Sequence, residues 1–173
     1  MLQKNTGFSL IELMITMVIV GIMATMAVPA MNSFFSTNKL YGLTEKIQTD
    51  MEWGRTQAIL TSKNITMSIN SGETWCYGFD DSPATACDCT NAPANCTVGT
   101  IQKTNSINNY SNTTVATDLP DASMTFTSRG FLDTFNNNTI TLSDGGATNT
   151  TINITPLGKG NACSNSLVQY TTC

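Results

Sequence analysis

The feature that most constrains this chain is an almost wholly apolar run from Phe8 to Ala30, broken near its start by one carboxylate, Glu12. At about 1.5 Å per residue, a helix of that length crosses a hydrocarbon core of about 30 Å. A cleavable secretory signal would have a shorter apolar middle and a closing small-x-small site, and would not place a carboxylate near its beginning. The run is therefore expected to be kept as a membrane-spanning helix. A carboxylate at the centre of such a helix costs about 2.5 to 3.5 kcal/mol to insert, so Glu12 is expected to have a partner or a function. Pro29 closes the run and removes one helical hydrogen bond, which predicts a kink or local melting there, with Gly21 as a second soft point.

Beyond Pro29, Leu40, Leu43, Ile47, Met51 and Ala58 recur at helical spacing, while Lys46 and Asp50 form an i,i+4 pair on another face. The pattern predicts one helix from Phe8 to about Leu60, its second half amphipathic and laid on a sheet. Trp53 and Arg55 flank the stripe and read as packing and solvation. The rest alternates in short strands: Ile65, Met67 and Ile69; Met124 and Phe126; Ile140 and Leu142; Ile152 and Ile154. Turn chemistry bounds them at Asn70-Ser71-Gly72, Ser128-Arg129-Gly130, Asp144-Gly145-Gly146 and Pro156 with Gly158. Between Asp80 and Asn112 the pattern fails. Pro83, Pro93 and three cysteines there predict a disulfide-pinned loop around one weak strand near Val98 to Lys103. The fold class is α+β, a long N-terminal helix packed on a mostly antiparallel β-sheet head. The expected regions are a short polar start at 1–7, the membrane half of the helix at 8–30, its amphipathic half at 31–62 and a β-rich head at 63–173.

Composition excludes several functions. The 173 residues hold eight Lys and Arg, scattered singly, against a net charge of −4, so no basic stripe exists for a run of phosphates. Nucleic acid is thereby disfavoured as a partner. Histidine is absent, which removes the usual general base and the commonest metal ligand. No catalytic residue, cofactor or metal is expected. Asp80-Asp81 and Asp118 with Asp121 read as solvated loop carboxylates, or at most a weak calcium site. The six cysteines, Cys76, Cys87, Cys89, Cys96, Cys163 and Cys173, lie outside the apolar run in a Gly- and Asn-rich setting that suits disulfides in an oxidising compartment. Zinc is the competing use of the four from Cys76 to Cys96, but zinc pairs are commonly spaced by about two to four residues, whereas Cys87 and Cys89 enclose one. Their pairing stays open among three connectivities.

The residues Gly7, Phe8, Ser9, Leu10, Ile11 and Glu12, after a short polar leader carrying Lys4, resemble the processing site of type IV prepilins. The resemblance implies cleavage between Gly7 and Phe8 by a membrane prepilin peptidase and N-methylation of Phe8. It also implies a docking role for Glu12, paired with the terminal amine of its own or a neighbouring subunit, and a helix that can stretch near Pro29. The second half, with Ser128-Arg129-Gly130 before Phe131, Thr139-Ile140-Thr141-Leu142, Ile152-Asn153-Ile154 and Leu157-Gly158-Lys159-Gly160, is similar to the FimT/FimU and GspH group of minor pilins and pseudopilins. That likeness implies a filament subunit first held in the bacterial inner membrane by one helix, then built with other pilins into a periplasmic or cell-surface filament. Its expected role is a minor pilin near the tip of a type IV pilus that helps to prime assembly. Cys163 and Cys173 enclose a short C-terminal loop like the disulfide loop of many pilins, which favours this role. The alternative is a GspH-like pseudopilin of type II secretion. A third reading is FimT-like DNA capture through Lys159, but the Gly-Arg-x-Arg pattern of that group is replaced here by Gly158-Lys159-Gly160-Asn161.

Overall fold

The computed structural model describes residues 7–82, 87–90, 95–133 and 138–173, the side chains of 27–30 excepted. One helix, α1, runs from Leu10 to Thr61. The Ser9 carbonyl opens it by accepting the amides of Glu12 at 3.1 Å and Leu13 at 3.2 Å. It stops where Ser62 takes a left-handed φ of 55°, and the Ser62 amide closes the last turn on the Ile59 carbonyl.

The chain divides into two compact units, Met1–Ser36 and Thr37–Cys173. In the first, every described side chain from Gly7 to Phe35 is exposed. An 18-residue window of α1 has a mean hydropathy of 2.2, so the helix is long and apolar enough to cross a membrane. An exposed helix of this kind buries its surface only in lipid or against other helices.

In the second unit α1 buries Leu40, Leu43, Ile47, Met51 and Ala58, the apolar stripe expected from their spacing. Two antiparallel four-stranded sheets receive it. The first takes the order β5 (Thr104–Ser106), β2 (Cys76–Asp80), β1 (Ile65–Asn70), β7 (Ser123–Phe126). The second takes the order β10 (Gly160–Cys163), β9 (Asn149–Ile154), β8 (Asn138–Ser143), β6 (Thr114–Thr117). Ile65, Met67 and Ile69 face the core, as do Met124, Phe126, Ile140, Leu142, Ile152 and Ile154. The helix touches both sheets. A Cβ on Gly54 would lie 2.6 Å from the Phe79 ring of the first, and a Cβ on Gly160 of the second would lie 3.3 Å from Met51 Sδ. A bridge between Gly72, in the β1–β2 turn, and Val115 of the edge strand β6 joins the two sheets.

One local expectation is corrected. The stretch from Val98 to Lys103 is not one strand but a hairpin of β3 (Thr97–Val98) and β4 (Ile101–Gln102), because Gly99 reverses the chain at a φ of 61°. The expected Lys46–Asp50 pair forms at 2.7 Å, with Asp50 only 2% exposed at the interface of helix and sheet. Asn136 and Asn137, and Pro83 and Pro93, lie outside the described residues, as do residues 1–6 with Lys4.

Candidate functional site

At the chain's start, Gly7 and Phe8 precede the helix, and Phe8 is 85% exposed. Glu12 lies in the first turn, where the unpaired amides of a helix N-terminus favour a carboxylate. Its carboxylate makes no ion pair among the described residues. A bond cut between Gly7 and Phe8 would leave a cationic amine four residues before Glu12, just ahead of the first helical turn. Pro29 belongs to the residues whose side chains are not described, so the expected kink has no side-chain account.

Asp50 anchors the helix to the first sheet. Its Oδ1 accepts Lys46 Nζ at 2.7 Å and Lys103 Nζ at 2.8 Å, and its Oδ2 accepts the Tyr77 hydroxyl at 2.8 Å. Asn105 Nδ2 donates back to the Tyr77 oxygen at 3.1 Å, and Lys103 Nζ lies 5.1 Å from the centre of the Trp53 ring. Burial alone would raise the Asp50 carboxyl, but the hydrogen bonds from Lys103, Lys46 and Tyr77 outweigh it and hold the group below the usual carboxylate range. Burial and the neighbouring carboxylate push the Tyr77 phenol well above its ordinary value. Of this set, the sequence singled out only the Lys46–Asp50 pair. Lys103, Tyr77 and Asn105 lie in a stretch without periodicity and come together only through the sheet.

All six cysteines are oxidised. Cys76 pairs with Cys89, Cys87 with Cys96 and Cys163 with Cys173. No thiolate remains for a metal, and the described residues hold no group of three His, Cys, Asp or Glu able to grip one. Gly78 leaves room for the second bridge, since a Cβ there would stand 3.1 Å from Cys87 Sγ and closer still to Cys96 Sγ. The C-terminal loop is tied to the helix as well as closed on itself. The Tyr170 hydroxyl donates to Glu45 Oε1 at 2.9 Å, and its ring lies 5.6 Å from that of Tyr41. The carboxylates have local tasks: Asp118 accepts the amide and hydroxyl of Thr139 and Asp81 pairs with Lys63 at 2.9 Å, while Asp80, expected as a solvated loop carboxylate, is instead the buried last residue of β2 and accepts the Ser82 amide.

Lys159 sits on a tight turn in which Gly158 has a φ of +71° and Thr155 bonds Lys159 through both backbone and hydroxyl. Arg55, Glu45 and Glu52 line the same recess. Two carboxylates on its wall oppose a phosphate backbone.

An exposed membrane-length helix, opening on a carboxylate in its first turn and continuing into the core of an antiparallel β head, defines a type IV pilin-like subunit. The chain belongs to the family described as "Type II transport protein GspH", whose sequence profile matches residues 43–158. The prokaryotic N-terminal methylation motif matches residues 2–28. Two crystal structures of the Pseudomonas aeruginosa type IV minor pilin FimU share the fold. One aligns at a TM-score of 0.55 and 15% identity, over 74% of this chain and 90% of that one. The other aligns at 0.50 and 14%, over 68% and 87%. A search of curated protein sequences found no match. The chain is thus a minor pilin or pseudopilin of the GspH or FimU type, and its family and structural neighbours are structural subunits rather than enzymes. The apolar helix and methylation motif fit anchorage in the inner membrane, and they imply assembly with other pilins and processing by a prepilin peptidase.

Proposed function

We propose that this chain is a minor subunit of a type IV pilus, built in at or near the tip and helping to prime assembly. In this reading residues 1–7 are removed, Phe8 becomes the methylated N-terminus, 8–30 span the inner membrane and then pack among neighbouring helices, and 31–62 carry the head at 63–173. The observation that carries it is Glu12, a carboxylate without an ion pair among the described residues, in the first turn of an otherwise apolar, exposed stretch of helix, four residues after the amine that cleavage creates. An unpaired charge there is costly in lipid, and docking against an amine neutralises both groups. The C-terminal disulfide loop supports the pilus over the secretion pseudopilus, while the GspH profile keeps the pseudopilus as the second reading.

Mass spectrometry of the mature protein should show N-methylated Phe8 as its first residue, and Gly7→Val should leave it uncut. Glu12→Ala should be cut and inserted yet missing from sheared filaments. A different N-terminus, or normal entry of Glu12→Ala, would end this reading. Loss of hydrolase export with intact pili on deletion of the gene would move the protein to secretion.

A further inference from the structure

Where α1 ends, three turns meet. The Ser128 amide bonds Asn64 Oδ1 at 3.2 Å, the Leu132 amide bonds the Pro156 carbonyl at 3.1 Å, and a Cβ on Gly130 would lie 2.7 Å from Ile59 Cδ1. These contacts gather the last helical turn, the Thr127–Phe131 turn and the Thr155–Lys159 turn. Ile59, Leu60, Phe131 and Leu157 are left exposed here, Leu60 by 71%. Most other large apolar side chains of this unit are buried, so the cluster is a patch and not scattered single residues.

The charges at this end are also unusual. Lys46 and Lys103 pair with Asp50, and Lys63 pairs with Asp81. Among the described residues, Arg55, Arg129 and Lys159 have no carboxylate within ion-pair distance, and all three border the patch. Arg55 is held ready: its Nε donates to the Gly130 carbonyl at 2.8 Å, which fixes the guanidinium and leaves the Nη nitrogens for another acceptor. Lys159 stands beside it on a recess of about 310 Å³, and Arg129 borders a shallow groove with Phe131.

We propose that this end of the head docks a neighbouring subunit of the filament through an apolar side chain flanked by carboxylates. The proposal rests on the filament-subunit reading above. Charge complementarity selects the partner. Separate carboxylates can each seat on one of these cations, spaced between Glu45, Glu52 and Asp133, which border the same surface and would repel a continuous line of phosphates. The interleaved apolar side chains would stay wet against nucleic acid and are covered by a protein surface. A lipid surface does not fit, because the patch lies on the order of 35 Å along α1 from Thr37, where this unit begins.

The test uses the full chain in its own cells, with a benzophenone photocrosslinker replacing Leu157. Sheared filaments are irradiated and the adduct peptide is sequenced, with and without Arg129→Glu and Lys159→Glu together. The expected adduct is with another pilin-type subunit, at an apolar residue within a few positions of Asp or Glu. The double charge reversal should lower its yield by about tenfold or more, and changing the partner's carboxylate to Lys should restore it. Cleavage after Gly7 and the melting temperature should be unchanged in the double variant. An adduct indifferent to charge reversal overturns the proposal, as does one with lipid, nucleic acid, a basic segment or a second copy of this chain. So does the absence of any adduct in filaments that contain the chain. Absence of the unsubstituted chain from filaments would instead overturn the reading of function on which the proposal rests.

Discussion

The Tyr77 hydroxyl donates a 2.8 Å hydrogen bond to Asp50 Oδ2, joining the middle of the first sheet to a helix carboxylate that is almost fully buried. A carboxylate in such a place is tolerable only when nearly all its acceptor capacity is used, and here two ammonium groups and a phenol use it. The contact also fixes the rotation of α1 against β2, since a turn of the helix would break the bonds from Tyr77 and Lys103 together.

Asp50→Ala should therefore be among the more damaging single changes in the head. Removing one partner of a buried pair commonly costs 3 to 5 kcal/mol; Lys46 and Lys103 keep 39% and 25% of their side chains exposed and can swing to water, which argues for a loss of about 3 kcal/mol. Tyr77→Phe keeps the ring and the ion pairs and should cost about 1 to 3 kcal/mol. Denaturant titration of both variants checks the order; a Tyr77→Phe loss larger than that of Asp50→Ala would contradict it.

The same site predicts acid sensitivity. The folded Asp50 pKa is lowered, so its contribution to stability is complete above the ordinary carboxylate range, near pH 4, and is lost as pH falls through the lowered folded value. The wild-type melting temperature should drop below about pH 4. In Asp50→Asn that part of the drop should be missing, which melting curves from pH 7 to pH 2 would show.

Gly78 is predicted to accept no side chain while the loop above it is oxidised. A Cβ there would overlap Cys96 and stand 3.1 Å from Cys87 Sγ, both parts of a bridge that cannot rotate away. Gly78→Ala should cost about 1 to 3 kcal/mol. Because the Cys96 Cβ itself would stand 2.6 Å away, replacing Cys87 by Ala and Cys96 by Gly together should remove most of that cost; a penalty that persists would place the clash elsewhere.

The helix was the most legible element, because Leu40, Leu43, Ile47, Met51 and Ala58 keep one spacing over several turns and each is buried. The strands around Met67, Met124, Ile140 and Ile152 were legible by alternation for the same reason, having one face on the core. β2 was not. Every residue from Cys76 to Asp80 is buried, with the helix on one face and the disulfide loop on the other, so no alternation remains to read. The partners of Asp50 were hidden because Lys103 and Tyr77 reach it only through strand pairing. Glu12 stood out in the sequence because one charge in an apolar run has no structural excuse, and the structure shows it in the first turn without an ion pair among the described residues.

The last prediction concerns the C-terminal loop, where a covalent and a noncovalent tie act on the same segment. Cys163 and Cys173 close a loop with a sequence separation of 10, and closing a loop of that size contributes about 2 to 3 kcal/mol through the entropy of the unfolded chain. Tyr170, inside that loop, bonds Glu45 and packs on Tyr41, so the bridge holds in place the residue that ties the C-terminus to α1. Replacing both cysteines by Ser should lower the melting temperature of the full-length protein in detergent by about 4 to 12 °C without abolishing folding, since both sheets and the helix stripe remain. Tyr170→Phe alone removes one half-exposed hydrogen bond and should cost about 0.5 to 1.5 kcal/mol. If the bridge acts by keeping Tyr170 on the helix, the two losses do not add: Tyr170→Phe should change little once the cysteines are gone. A double-mutant cycle measures this directly. Strict additivity would mean that the loop is held on α1 by Tyr170 whether or not it is closed, and that the disulfide acts on the unfolded chain alone.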